Sequence, residues 1–164
     1  MEQTVVTDSV QSENEFLPII MLFFLLHADI MNIISARGNI MKVLNIEDDT
    51  FKHNGICKVL TSCGVKAVDW ETNFEEAWKA IEDAENSETP YDLIITDMYY
   101  PKEAGGSEEA SGELIIQKVL DHELKVPVIL CSSVNFKYNE IFGCVYYNKV
   151  TNWEDDLRGF INRL

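Results

Sequence analysis

The sequence predicts an α/β fold, a parallel sheet covered by helices on both faces, and two observations carry that expectation. From residue 41 to 164, apolar runs of strand length alternate with amphipathic stretches of helix length. Several of the runs, "YDLIITD" and "VPVILCS" among them, are nearly continuous in apolar residues. That is the pattern of strands buried on both faces, not of strands with one wet side.

Each element follows from its own residues. "MKVLNI" (41–46) is a short β-rich run. "TFKHNGICKVLTSCG" (50–64) is helical, with Phe51, Ile56, Val59, Leu60 and Cys63 near one face and Gly64 as its stop. "VKAVDW" (65–70) is the second strand. "TNFEEAWKAIEDAEN" (72–86) opens with Thr72 and Glu75 at capping-box spacing and sets Phe74, Ala77, Trp78 and Ile81 on one stripe. "YDLIITD" (91–97) is the third strand, "GELIIQKVLDHE" (112–123) the third helix, "VPVILCS" (126–132) the fourth strand and "CVYYNK" (144–149) the fifth. "TNWEDDLRGFINRL" (151–164) closes as an amphipathic helix, with Thr151 and Glu154 again at capping-box spacing.

Composition bounds the partners. The chain has 164 residues, 46% of them apolar and 25% charged, as in a soluble globular protein of one domain with an appendage. Its formal net charge is −15, and the basic residues are scattered. Such a surface repels phosphate backbones, which excludes nucleic-acid binding through a basic patch. Cys57, Cys63, Cys131 and Cys144 form no C-x-x-C pair and lie in largely apolar segments, so they read as buried reduced thiols in a reducing, cytoplasmic setting.

Residues 1–40 differ from the rest. A polar, acidic start precedes an unbroken apolar run at 16–26, eleven residues long, well short of the ~20 that span a bilayer. His27 and Asp29 interrupt it, no Lys or Arg precedes Arg37, and no small-residue cleavage site stands out, so a membrane span and a signal peptide are both poor fits. Two readings stay open: a translated leader ahead of a native start at Met41, or an apolar anchor or docking segment. In either case the domain runs from 41 to 164.

Ligands of a parallel sheet gather beyond the carboxyl ends of its strands. The first strand ends in Glu47, Asp48 and Asp49, the third in Asp97, the fourth in Ser132 and Ser133, the fifth in Lys149. Each alone has a plain explanation as a turn acid, a helix cap or a surface lysine. Together on one edge they are a chemical set. Crowded acids invite a cation, and carboxylate and carbonyl oxygens with open water positions suit Mg²⁺. A lysine and a hydroxyl beside a nucleophilic carboxylate suit a transferring phosphoryl group.

With "VLNIEDD", "YDLIITDMYYP", "VPVILCSS" and "VYYNK" in these places, residues 41–164 resemble the receiver domain of bacterial two-component response regulators. Pro101, four residues past Asp97, fits the same pattern. The resemblance implies a flavodoxin-like, doubly wound, five-stranded parallel sheet. It implies that Asp97 accepts a phosphoryl group from a sensor histidine kinase or a phosphotransfer protein. It implies Mg²⁺ held by Glu47, Asp48, Asp97 and the carbonyl of Tyr99, Lys149 paired with the phosphoryl group, and a switch in which the Ser132 hydroxyl moves and the Tyr146 ring turns inward. The domain would catalyse only its own phosphorylation and dephosphorylation.

The chain also departs from that pattern. "KEAGGSEEASGE" (102–113) exceeds the usual link by roughly seven residues, and reads as a mobile surface loop or a lid over the acceptor. Only "VNFKYNEIFG" (134–143) separates the fourth and fifth strands, so the fourth helix is expected to shrink to a turn or two, which puts the family's usual dimer face in doubt. Val150 follows Lys149 where proline is usual. With one helix after Lys149, a stand-alone receiver is expected, whose output is contact with a downstream protein or onward relay of its phosphoryl group. Two rival readings are a receiver-like interaction module that has lost phosphorylation and, less well supported, a Mg²⁺-dependent phosphohydrolase.

Overall fold

The computed structural model describes residues 41–164, so the two readings of residues 1–40 lie outside the described residues. Seven strands and four helices follow in chain order: β1 (Lys42–Ile46), α1 (Thr50–Ser62), β2 (Ala67–Glu71), α2 (Phe74–Glu85), β3 (Leu93–Thr96), β4 (Tyr100–Pro101), β5 (Glu108–Glu109), α3 (Ser111–Asp121), β6 (Val128–Ser132), β7 (Gly143–Tyr146) and α4 (Trp153–Ile161). Five strands form a parallel sheet in the order β2-β1-β3-β6-β7. The order reverses at β1 and β3, and a crevice opens at such a reversal, beyond the carboxyl ends of the strands.

Strand side chains alternate between two cores. Val43, Leu93, Ile95, Ile129, Cys131 and Val145 face one way, onto Ile56, Val59 and Leu60 of α1 and Trp153, Leu157 and Ile161 of α4. Leu44, Ile46, Ile94, Val128 and Leu130 face the other way, onto Phe74, Ala77, Trp78 and Ile81 of α2 and Ile115, Ile116 and Val119 of α3. Period-two alternation with both faces covered is why these strands read as continuous apolar runs.

The helix ends depart from expectation by a residue or two, for physical reasons. Asn73, not Thr72, caps α2: its side-chain oxygen accepts from the Glu76 N–H at 3.0 Å. At α4 the Thr151 hydroxyl donates back to the Tyr146 carbonyl at 3.1 Å, and the helix starts after Asn152. Gly64 does stop α1, with a left-handed φ of +89°. Phe51 does not join the buried face of α1; it is 87% exposed, while Lys52 is 5% exposed and faces inward with Ile56, Val59 and Leu60.

Two connections differ more. The acidic link is not plain loop: β4 and β5 pair antiparallel, Tyr100 with Glu109 and Pro101 with Glu108. Between β6 and β7 there is no helix at all, only bends and extended chain, so four helices cover the sheet where five, the fourth of them shortened, were expected. Its apolar residues Phe136, Tyr138 and Ile141 still pack on the α2–α3 core. Of the cysteines, all free, only Cys131 is fully buried; Cys57, Cys63 and Cys144 are half-buried. Burial pushes the Cys131 thiol up to about 12.

Candidate functional site

Ile46 and Thr96 are register partners at the ends of β1 and β3, so the next residues of each strand, Glu47 and Asp97, emerge side by side. The backbone ladder carries on past both ends: the Glu47 N–H donates to the Glu71 carbonyl at 2.9 Å, and the Asp97 N–H to the Ile46 carbonyl at 3.0 Å. This fixes both Cα positions before any side-chain contact is made.

The three acids after β1 divide their work. Asp49 is a structural cap: its carboxylate accepts from the N–H groups of Phe51 at 2.7 Å and Lys52 at 3.2 Å, starting α1. Glu47 is 1% exposed; one oxygen accepts from the Asp49 N–H at 3.0 Å. Burial raises its carboxyl to about 7 against the opposing pull of Lys52. Asp48 is partly exposed, and among the described residues its carboxylate has neither an ion pair nor a hydrogen bond from another residue. Burial, then the charges of Glu108 and Asp97, raise its pKa.

Asp97 is held through one oxygen, by a hydrogen bond and an ion pair. Oδ1 accepts from the Met98 N–H at 2.7 Å and lies 2.9 Å from Lys52 Nζ. Lys52 Nζ is also 2.7 Å from the second oxygen of Glu47, an ionic contact that is not aligned as a hydrogen bond. Burial acts to lower the Lys52 pKa, but Glu47 and Asp97 outweigh it and the net shift is upward, so the ammonium stays charged. The Tyr147 ring lies 5.5 Å from Nζ, within cation–π range. Asp97 Oδ2 has no partner among the described residues.

The start of α3 seals the other side of Asp97. The Gly112 N–H donates to the Met98 carbonyl at 3.0 Å, and any Cβ at Gly112 would overlap the Asp97 carbonyl oxygen. Only glycine allows the helix to approach the acceptor strand this closely.

The far half of the predicted set lies at β6 and β7. Ser132 and Tyr146 are register partners; Ser132 is 1% exposed and Tyr146 36%. The Ser132 hydroxyl accepts from the Val134 N–H at 3.4 Å. Tyr99 is exposed, its ring tilted toward Phe136. Lys149 is exposed and has no ion pair among the described residues. It sits in a turn closed by Asn148, whose Oδ1 accepts from the N–H groups of Val150 at 2.7 Å and Thr151 at 2.8 Å.

The structure thus brings Glu47, Asp48 and Asp97 to one edge, with Ser132 one strand along from Asp97 and Tyr146 two, and among the described residues Lys149 makes no ion pair with Asp97. The residue that sequence reasoning passed over is Lys52. Its spacing from Ile56, Val59 and Leu60, at i, i+4, i+7 and i+8, was the available signal.

No family model matches the chain, and no curated protein sequence matches it. Solved structures do. The Mn²⁺-bound form of response regulator Rcp1 superposes with a TM-score of 0.55 at 17% identity, covering 73% of this chain and 90% of that one. The phosphorylated cyanobacterial phytochrome response regulator RcpA gives 0.54 at 20% identity, covering 73% and 89%. The chemotaxis response regulator CheY4 of Vibrio cholerae gives 0.54 at 18% identity, covering 76% and 98%. Topology, strand order and these superpositions agree: the chain carries the flavodoxin-like receiver fold of response regulators.

Proposed function

We propose that this chain is a receiver that takes a phosphoryl group on Asp97 from the phosphohistidine of a sensor histidine kinase or phosphotransfer protein, and signals by contact with a downstream protein. The observation that carries this reading is the state of Asp97. It stands at the end of the central strand, oriented by the Met98 N–H and by a buried cation, with its second carboxylate oxygen unpartnered among the described residues. A nucleophile fixed on a rigid strand meets phosphorus in line at little entropic cost. In the step itself a carboxylate oxygen of Asp97 forms the O–P bond as the N–P bond of the phosphohistidine breaks. The imidazole nitrogen leaves with the electron pair and takes up a proton.

The residues fit a divalent cation of the Mg²⁺ type. Among the described residues no three acidic, histidine or cysteine side chains form a ready cluster. Mg²⁺ does not require one, since it binds through one or two carboxylates and keeps several waters. Asp48 and the free oxygen of Asp97 supply hard oxygen donors, with Glu47 and the Tyr99 carbonyl as further candidates. When bound, the ion would neutralise charge on the transferring group. Of proteins sharing the fold, Rcp1 is known in a Mn²⁺-bound form and RcpA in a phosphorylated one.

The register of Ser132 against Tyr146 supports a switch. A buried hydroxyl drawn to the phosphoryl oxygen would leave room beside it, and the half-exposed Tyr146 ring is the neighbour placed to fill that room. The second reading, an interaction module independent of phosphorylation, draws support from the exposure of Lys149 and from the helix-free 133–142 segment.

Incubation with Mg²⁺ and a small acyl phosphate, followed by intact mass, separates the two. The expected result is a gain of one phosphoryl group in the wild type and none in Asp97→Asn. A wild type that stays unmodified in the presence of Mg²⁺ contradicts the acceptor reading.

A further inference from the structure

We infer that Lys52, from the first turn of α1, is the lysine that serves the acceptor Asp97, in the part that the resemblance gives to Lys149. The inference rests on the phosphoacceptor reading above and adds a residue to it.

Lys52 is 5% exposed, and lysine is among the residues least often buried without a partner. Its partners are the two acids at the centre of the site: Nζ is 2.9 Å from Asp97 Oδ1 and 2.7 Å from the second oxygen of Glu47. The placement is built in at three levels. Asp49 caps α1 and binds the backbone N–H of Lys52 itself, which sets where the side chain departs. The i, i+4, i+7, i+8 series with Ile56, Val59 and Leu60 turns it toward the sheet. The Tyr147 ring, itself packed on Trp153, flanks the ammonium from the β7 side.

The other lysine is turned away by a device that can be named. The Asn148 side chain gathers the N–H groups of Val150 and Thr151 into a tight turn, and Lys149 lies inside that turn, facing solvent. The bond from Val150 needs a backbone donor. A proline at 150, as the family pattern has it, has none to give.

When phosphorus bonds to an oxygen of Asp97, the phosphoryl oxygens bring further negative charge to this pocket. An ammonium already within contact of the reacting carboxylate stabilises that charge without reorganisation. Glu47 is a second partner of Lys52, so Lys52 keeps an ion pair as its contact with Asp97 passes to the phosphoryl oxygen.

The test compares phosphorylation rates with an acyl phosphate and Mg²⁺ in the wild type, Lys52→Met, Lys52→Arg and Lys149→Ala. The expected loss is at least ~100-fold in Lys52→Met, the scale on which a charge at a transferring group acts. Partial recovery is expected in Lys52→Arg, and a change within about threefold in Lys149→Ala, as for an exposed lysine outside the site. Beryllofluoride binding, read by Trp fluorescence, follows the same order and separates loss of the anion site from loss of transfer. Lys149→Ala keeps the test decisive even if Lys52→Met fails to fold: loss of phosphorylation in that exposed variant overturns the assignment outright. Full activity in a folded Lys52→Met overturns it as well. A wild type that accepts no phosphoryl group defeats the phosphoacceptor reading, and the role of Lys52 with it. A dead Lys149→Ala beside an active wild type defeats only the role of Lys52.

Discussion

Two halves of one sheet edge have opposite physical character. Beside β1 and β3, buried Glu47 and Lys52 and half-buried Asp97 form an ion-paired cluster whose members fix one another. At β6 and β7, Ser132 is buried and its hydroxyl has a single long hydrogen bond, Tyr146 is partly exposed, and Lys149 is in solvent. The first half is preorganised for charge and the second is loosely held. A phosphoryl switch needs both, since a rigid acceptor supplies chemistry while a response element must have somewhere to move. The cation paired with the acids comes from the helix that follows β1, not from the turn after β7, two strands from β3.

The largest effect that tests this contrast is on stability. Lys52→Met removes the one cation that, among the described residues, pairs with buried Glu47 and half-buried Asp97, and breaking a buried pair from one side costs about 3–5 kcal/mol. Lys149→Ala, on the exposed side, should cost less than about 0.5 kcal/mol. Urea unfolding of both variants in metal-free buffer measures the gap, and equal destabilisation would erase the distinction between the halves. Addition of Mg²⁺ should restore part of the Lys52→Met loss, because the ion relieves the same crowding of acids.

A smaller effect sharpens the account of Glu47. Its folded pKa, raised to about 7 from 4.5, means that the folded protein keeps a proton which the unfolded chain releases in that window. The unfolded state then binds fewer protons, so stability falls as pH rises from about 4.5 to 7, by up to about 3 kcal/mol from this group. Glu47→Gln lacks the group, so the difference in unfolding free energy between wild type and variant should shrink or reverse over the same interval. A difference independent of pH would show that Glu47 is an ordinary solvated carboxylate.

Much of this was legible in the residues, and the exceptions share a cause. The strands were legible because burial on both faces leaves a continuous apolar signature in "LIIT" and "VILCS". Asp97 and the Glu47–Asp48 pair were legible because parallel strands present their carboxyl ends to one edge. Lys52 was hidden by its charge: a helix face read from apolar residues alone includes Phe51, which lies in solvent, and omits a lysine that the acids draw inward. The β4–β5 hairpin was hidden because each strand has two residues and β5 is a pair of glutamates, which carry no strand signature. Exposed Lys149 sits in a turn that Asn148 closes by hydrogen bonds from Val150 and Thr151, contacts that no periodicity records. What escaped, in each case, was set by a specific polar contact and not by an apolar pattern.

The most direct measurement is a crystal structure of the protein with Mg²⁺ and beryllofluoride. The account predicts beryllium on a carboxylate oxygen of Asp97, with Lys52 Nζ within hydrogen-bonding distance of a fluorine and Lys149 still in its Asn148 turn. A structure in which Lys149 reaches the fluorine while Lys52 has swung out of the pocket would contradict it.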